Sequence, residues 1–153
     1  MMRFMLASRV ARWIAGVVCV LVLAAAFAFY ASRDPRAEVV EDAGAPVGWK
    51  VIDYEGVHVA IPADWDRLDQ GDCEFRFERW AAPGTKACAV AGGVAFYGSA
   101  TFDPADGPGV RRNKAQDEPR WGGYAYAGKF AVYASDDERA VVRKILASAK
   151  SEQ

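Results

Sequence analysis

One histidine, His58, is the only imidazole in the 153-residue chain. It stands in an apolar alternation, Val57-His58-Val59-Ala60-Ile61. A lone imidazole cannot build a histidine-based zinc or haem site, and no nucleophile triad can be assembled around it. His58 therefore reads as a structural or surface residue. Asp64, Asp66, Asp69 and Asp72 form a dense carboxylate run of the kind calcium favours. Their spacing lacks the EF-hand pattern and its closing glutamate, so a solvated face around a helical turn is expected, with a cation site as the rival. Arg111, Arg112 and Lys114 are a small basic cluster, read as a solvated loop with a polyanion or an acidic partner as the alternative. Trp49, Trp65, Trp80 and Trp121 could stack on sugars, but large rings in a small domain more often form its core. No phosphate loop, dinucleotide fingerprint or nucleophile elbow is present. The expectation is a non-enzymatic protein with no catalytic, cofactor or metal residues.

The remaining reactive groups are sulfurs. Cys73 and Cys88 lie outside the apolar N-terminal stretch, and Cys19 lies within it. An even pair in an oxidising compartment reads as a disulfide. Each cysteine sits at the edge of a predicted strand, with Pro83-Gly84 turning the chain between them. Closing a loop of about 15 residues is worth roughly 3 kcal/mol in the entropy model. Free core thiols and a redox pair are the alternatives, the latter without Cys-x-x-Cys spacing. Cys19 follows Val17-Val18 and reads as a small apolar residue of a membrane helix, not a lipidation site.

The elements that must carry these residues divide at the anchor. Residues 13–31 (WIAGVVCVLVLAAAFAFYA) hold no charge. About 19 residues at a ~1.5 Å rise span roughly 28 Å, close to the hydrocarbon thickness of a bilayer. Trp13 and Tyr30 flank the run, where amphipathic rings settle at the interface. Arg3, Arg9 and Arg12 precede it and no acid does. That bias puts residues 1–12 in the cytoplasm and the C-terminal domain outside a bacterial plasma membrane, with the bilayer as a partner through residues 13–31. A cleaved signal peptide, with A-x-A sites near Ala24 to Ala28, is the rival. The chain's 19 Lys and Arg, less those three, leave 16 against 20 Asp and Glu, a net of −4 outside. Such a balance disfavours nucleic acid.

Residues 32–47 carry mixed charges, Pro35, Gly44 and Pro46, and read as a linker. Residues 48–150 form the outer domain, about 105 residues rich in aromatics and large enough to bury a core. Trp49–Tyr54 and Val57–Ile61 predict a hairpin about Glu55-Gly56, and residues 62–68 a short early helix. Cys73 to Trp80 (CEFRFERW) alternates, with Cys73, Phe75 and Phe77 inward and Glu74, Arg76 and Glu78 outward. Ala87 to Ser99 holds one or two strands broken near Gly92-Gly93, and Phe102 to Arg120 reads as an exposed loop. Trp121–Tyr126 and Lys129–Ala134 form a second hairpin. Ser135 with Glu138 predicts a capping box opening a helix to about Ala149, its stripe being Val141, Val142, Ile145, Leu146 and Ala149. The architecture expected is α+β: an antiparallel sheet of about five to seven strands, a short early helix and a C-terminal helix on one face.

Tyr54-x-Gly56-Val57 to Ile61-Pro62-Ala63-x-Trp65, the Cys73-Glu74-Phe75-Arg76-Phe77 strand and the closing Ile145-Leu146-Ala147-Ser148 helix together carry a resemblance. The chain resembles a group of actinobacterial membrane-anchored extracytoplasmic proteins of unassigned activity. Its strand-Pro-x-x-Trp opening and last helix also resemble PsbP-like domains, including those of some mycobacterial lipoproteins. The resemblance implies a non-catalytic accessory or binding module and carries no functional residue with it. It departs from the lipoproteins in having an anchor helix in place of a lipidated cysteine. The function expected is an accessory or binding protein that contacts a membrane complex or envelope component. Small-ligand, glycan or metal binding is the alternative, and an unrecognised enzyme a further one.

Overall fold

Glu55 and Gly56 both adopt positive φ, 50° and 79°, the backbone of a two-residue turn matched to strand twist. They join β2 (Trp49–Tyr54) to β3 (Val57–Pro62) in the register Tyr54 to Val57. The structure, a computed structural model, describes residues 36–40, 44–89, 91–115 and 118–152. The predicted cytoplasmic segment 1–12 and membrane span 13–31 lie outside those residues. Among the described residues no helix is long and apolar enough to cross a membrane.

The fold is mixed, with two antiparallel sheets and a C-terminal helix. The predicted single sheet is thus two. The first has the order β1-β2-β3-β10, with β1 at Glu38–Val40 and β10 at Lys150–Ser151. The second has the order β4-β5-β6-β9-β8-β7. Its strands are β4 (Asp66–Arg67), β5 (Glu78–Ala81), β6 (Gly93–Gly98), β7 (Gly109–Arg112), β8 (Trp121–Ala127) and β9 (Phe130–Asp136). Helix α1 (Arg139–Ser148) packs on β3, β8 and β9. Strand alternation sends Ile52, Val57, Val59 and Ile61 from the first sheet, and Trp80, Val94, Phe96, Phe130, Val132 and Ala134 from the second, into one core. Val142, Ile145 and Leu146 of α1 complete it.

Several local expectations are corrected. Residues 62–68 form no helix: a turn at Ala63-Asp64 leads into β4, because Asp66 and Arg67 pair with Ala81 and Trp80. The linker over 32–47 contains β1, which pairs with β2. The loop over 102–120 contains β7, which pairs with β8. Of the predicted strand 73–80 only Glu78 to Trp80 join a sheet, in β5; Cys73 is buried and Glu74 and Arg76 exposed as expected, but Phe75, Phe77 and Glu78 are reversed. Phe75 and Phe77 are exposed while the Glu78 side chain is 2% exposed. The capping box does not form. Ser135 is still in β9, where its buried Oγ accepts the Gly92 N–H at 2.7 Å. Glu138 is the cap residue without a side-chain bond to the helix, and its own N–H donates to Asp136 Oδ1 at 2.7 Å.

Cys73 and Cys88 form the disulfide, with S–S 2.06 Å and Cα–Cα 5.4 Å. Both lie in loops flanking β5 and not at strand edges. Gln70 joins the same two loops, its Nε2 donating to Ala87 O at 3.1 Å and its Oε1 accepting the Phe77 N–H at 2.8 Å. Thiol alkylation of the denatured, unreduced full chain should therefore label Cys19 alone. Labelling of all three cysteines would show that the bond does not form in the cell. The Cys73→Ser/Cys88→Ser double variant should lose roughly 3 kcal/mol of stability in urea.

Candidate functional site

The face of the six-stranded sheet turned away from the core is aromatic. Alternation along β6 and β9 puts Tyr97 and Tyr133 there, opposite Phe96 and Val132. Tyr124 of β8 lies beside them and Phe102 arrives from the segment after β6. The rings run in contact: Phe77 to Tyr97 at 4.6 Å between centroids, Tyr97 to Phe102 at 5.3 Å, and Phe102 to Tyr124 at 4.9 Å. Tyr97 also meets Tyr133 edge-on at 6.4 Å. Such tilted and edge contacts are favourable for ring quadrupoles.

Between these rings and β7 lies a cavity of about 370 Å³, lined also by Asp106, Arg111, Asn113 and Glu118. Its polar wall is held by bonds within the protein. Arg111 Nη1 lies 3.3 Å from Asp106 Oδ2 and its Nη2 donates to Gly107 O at 2.6 Å. Tyr124 Oη donates to Asp106 O at 2.9 Å, and Asn113 Nδ2 donates to Pro119 O at 2.7 Å. Gly122 forms part of the lining, and its missing side chain matters. A Cβ there would meet Tyr133 Oη at 2.9 Å and the Asn113 amide at 3.0 Å. Burial raises the Tyr133 and Tyr97 hydroxyls above the ordinary tyrosine range, so both stay protonated.

A second cavity, of about 570 Å³, shares Tyr97 with the first and lies against the disulfide. Phe77, Gln70 and Arg79 line it. Arg79 is 4% exposed, and burial draws its guanidinium below the ordinary arginine range. Its Nη2 donates to Ala91 O at 2.6 Å and also to Gly92 O.

Of the residues singled out by type, Cys73 and Cys88 line the second cavity and one member of the basic cluster lines the first. Arg111 of the basic cluster reaches the first cavity, whereas Arg112 and Lys114 are exposed. Asp64, Asp66, Asp69 and Asp72 are all exposed, and Asp69 Oδ1 accepts the Gly71 N–H at 3.1 Å. Among the described residues no group of three or more His, Cys, Asp or Glu is placed to hold a metal. His58 is half-buried on β3, with Nε2 3.0 Å from Asp53 Oδ2 and 3.5 Å from Glu152 Oε1. Trp65 and Trp80 belong to the core, and Trp121 packs against it beneath Arg139. Trp65 and Trp80 thus offer no free ring face, whereas Trp49 and Trp121 are only partly buried.

No protein-family model matches the chain, and comparisons with curated proteins and with solved structures likewise give no match. The site residues escaped sequence reasoning because Tyr97, Phe102, Tyr124 and Tyr133 share no motif. The one available signal was the phase of the strands: Tyr97 and Tyr133 sit out of step with their strands' core positions.

Proposed function

We propose that this chain is a binding module at the outer face of a bacterial plasma membrane, anchored by a helix over residues 13–31. It contacts a membrane complex or an envelope component through the aromatic face of the six-stranded sheet. The observation that carries this reading is the cavity between Tyr97, Phe102, Tyr124 and Tyr133, a concave apolar surface with a few fixed polar groups. Arg111 pairs with Asp106, and Asn113 and Tyr124 donate to backbone carbonyls, an arrangement that fixes the shape of a binding surface. The disulfide supports an oxidising compartment. The charge bias around residues 13–31 supports the orientation.

The test is photo-crosslinking in living cells with the full chain. Benzoylphenylalanine in place of Phe102 should give a discrete light-dependent adduct. The same probe in place of Arg143, exposed on α1, should give none. The adduct's mass separates a protein partner from a glycan or small ligand. Equal yields at the two positions, or no adduct at position 102, would overturn the proposed face.

A further inference from the structure

Arg79 and Glu78 are adjacent, oppositely charged and both buried, yet they cannot neutralise each other. Neighbouring residues of a strand point to opposite faces. Glu78 turns toward Arg67 and the Trp80 indole, while Arg79 turns to the aromatic face. There its Nη2 meets two neutral carbonyls, those of Ala91 and Gly92. Among the described residues no carboxylate forms an ion pair with Arg79. Its Nε–H and Nη1–H donate to no described residue. Arg79 is one of the residues that line the cavity of about 570 Å³.

We infer that this cavity is an oxyanion site, in which Arg79 takes a phosphate or carboxylate group borne on an organic body. The inference rests on the binding reading above and names the chemistry of what is bound. A guanidinium fork matches the oxygens of either group, and a buried arginine without a counter-ion is stabilised by receiving one. Tyr97 lines the same cavity and carries a further donor in its hydroxyl. Phe77 and Tyr97 form an aromatic wall suited to an apolar body, and Tyr97 continues into the first cavity. Gln70 has one amide N–H bonded to Ala87 O and its Oε1 bonded to the Phe77 N–H. Glu74 is the one carboxylate lining the cavity, is exposed, and is the internal competitor for Arg79.

The experiment follows the arginine Nε–H resonances of the ¹⁵N-labelled full chain in nonionic detergent. Phenyl phosphate, inorganic phosphate and benzyl alcohol are added in turn. Phenyl phosphate should move the Arg79 resonance saturably and benzyl alcohol should not. Equal binding of inorganic phosphate assigns a free anion as sufficient, and tighter binding of phenyl phosphate assigns an anion on an organic body. Arg79→Lys, titrated with phenyl phosphate by calorimetry, keeps the charge but loses the fork and should weaken binding by roughly 10- to 100-fold, the loss of one charge-assisted hydrogen bond. Tyr97→Phe keeps the ring and should weaken it by roughly 2- to 10-fold, which preserves the test if Arg79 variants do not fold. The inference is overturned if neither phosphate, nor benzoate added in the same way, moves the resonance. It is equally overturned if Glu74→Gln moves it while none of these anions does, for Glu74 is then the occupant. An adduct at position 102 without a response to any of these anions would sink the oxyanion site and leave the binding module standing.

Discussion

Glu78→Ala is expected to cost about 1–3 kcal/mol, the loss of a buried carboxylate's charge-assisted hydrogen bonds and of the acceptor for a buried indole N–H. The Glu78 carboxylate is enclosed and fully engaged. Arg67 Nε donates to its Oε1 at 3.0 Å, Arg67 Nη2 donates to its Oε2 at 3.0 Å, and Trp80 Nε1 donates to its Oε1 at 2.9 Å. These bonds hold the Arg67 guanidinium above its ordinary value. Removing the carboxylate leaves a buried indole N–H without an acceptor and removes the side-chain tie that reinforces the backbone pairing of β4 with β5. Urea unfolding monitored by tryptophan fluorescence should show the lower midpoint at unchanged slope. A loss below about 1 kcal/mol would mean that the pair is solvated, in the range of surface salt bridges.

The second large effect is Ile145→Ala, expected at about 2–5 kcal/mol. Ile145 is fully buried among β3, β8, β9 and its own helix neighbours Val142 and Leu146. Truncation there removes methyl groups and leaves a cavity in the layer that joins both sheets. Arg143→Ala, on the exposed side of the same helix, should stay within about 0.5 kcal/mol. Equal, small effects at both positions would mean that α1 does not dock.

The elements read correctly are those whose signals are local. Glu55-Gly56 and the residues around Gly128 carry their own turn chemistry, and the stripe Val142, Ile145, Leu146 carries its own period. The misread elements obey distant partners. CEFRFERW alternates like a strand, yet the disulfide and Gln70 hold its first half out of the sheet. Arg67 and Trp80 then draw Glu78 inward against its polarity. Ser135 has the type of a helix cap, but the alternation Phe130, Val132, Ala134 continues through it and the amide it serves is that of Gly92, 43 positions away. β7 shows little hydrophobic pattern, because its partners in β8 include Gly122 and Gly123 and little side-chain packing is needed there. The aromatic site was hidden for a similar reason: only sheet register assembles it.

Strand lengths have a consequence for how such a chain survives at high local concentration. The strands of six or seven residues, β2, β3, β6, β8 and β9, all lie inside their sheets. The outermost positions belong to β1 with three residues, β10 and β4 with two each, and β7 with four, of which Arg111 and Arg112 are charged. An outer strand offers a row of unpaired N–H and C=O groups on which another chain can grow by strand addition. Here each such row is short, and the long flank of β3 is further closed where Ser148 Oγ accepts the Ala60 N–H at 2.8 Å. Among the described residues, copies crowded together therefore meet little that templates fibrillar assembly by strand addition.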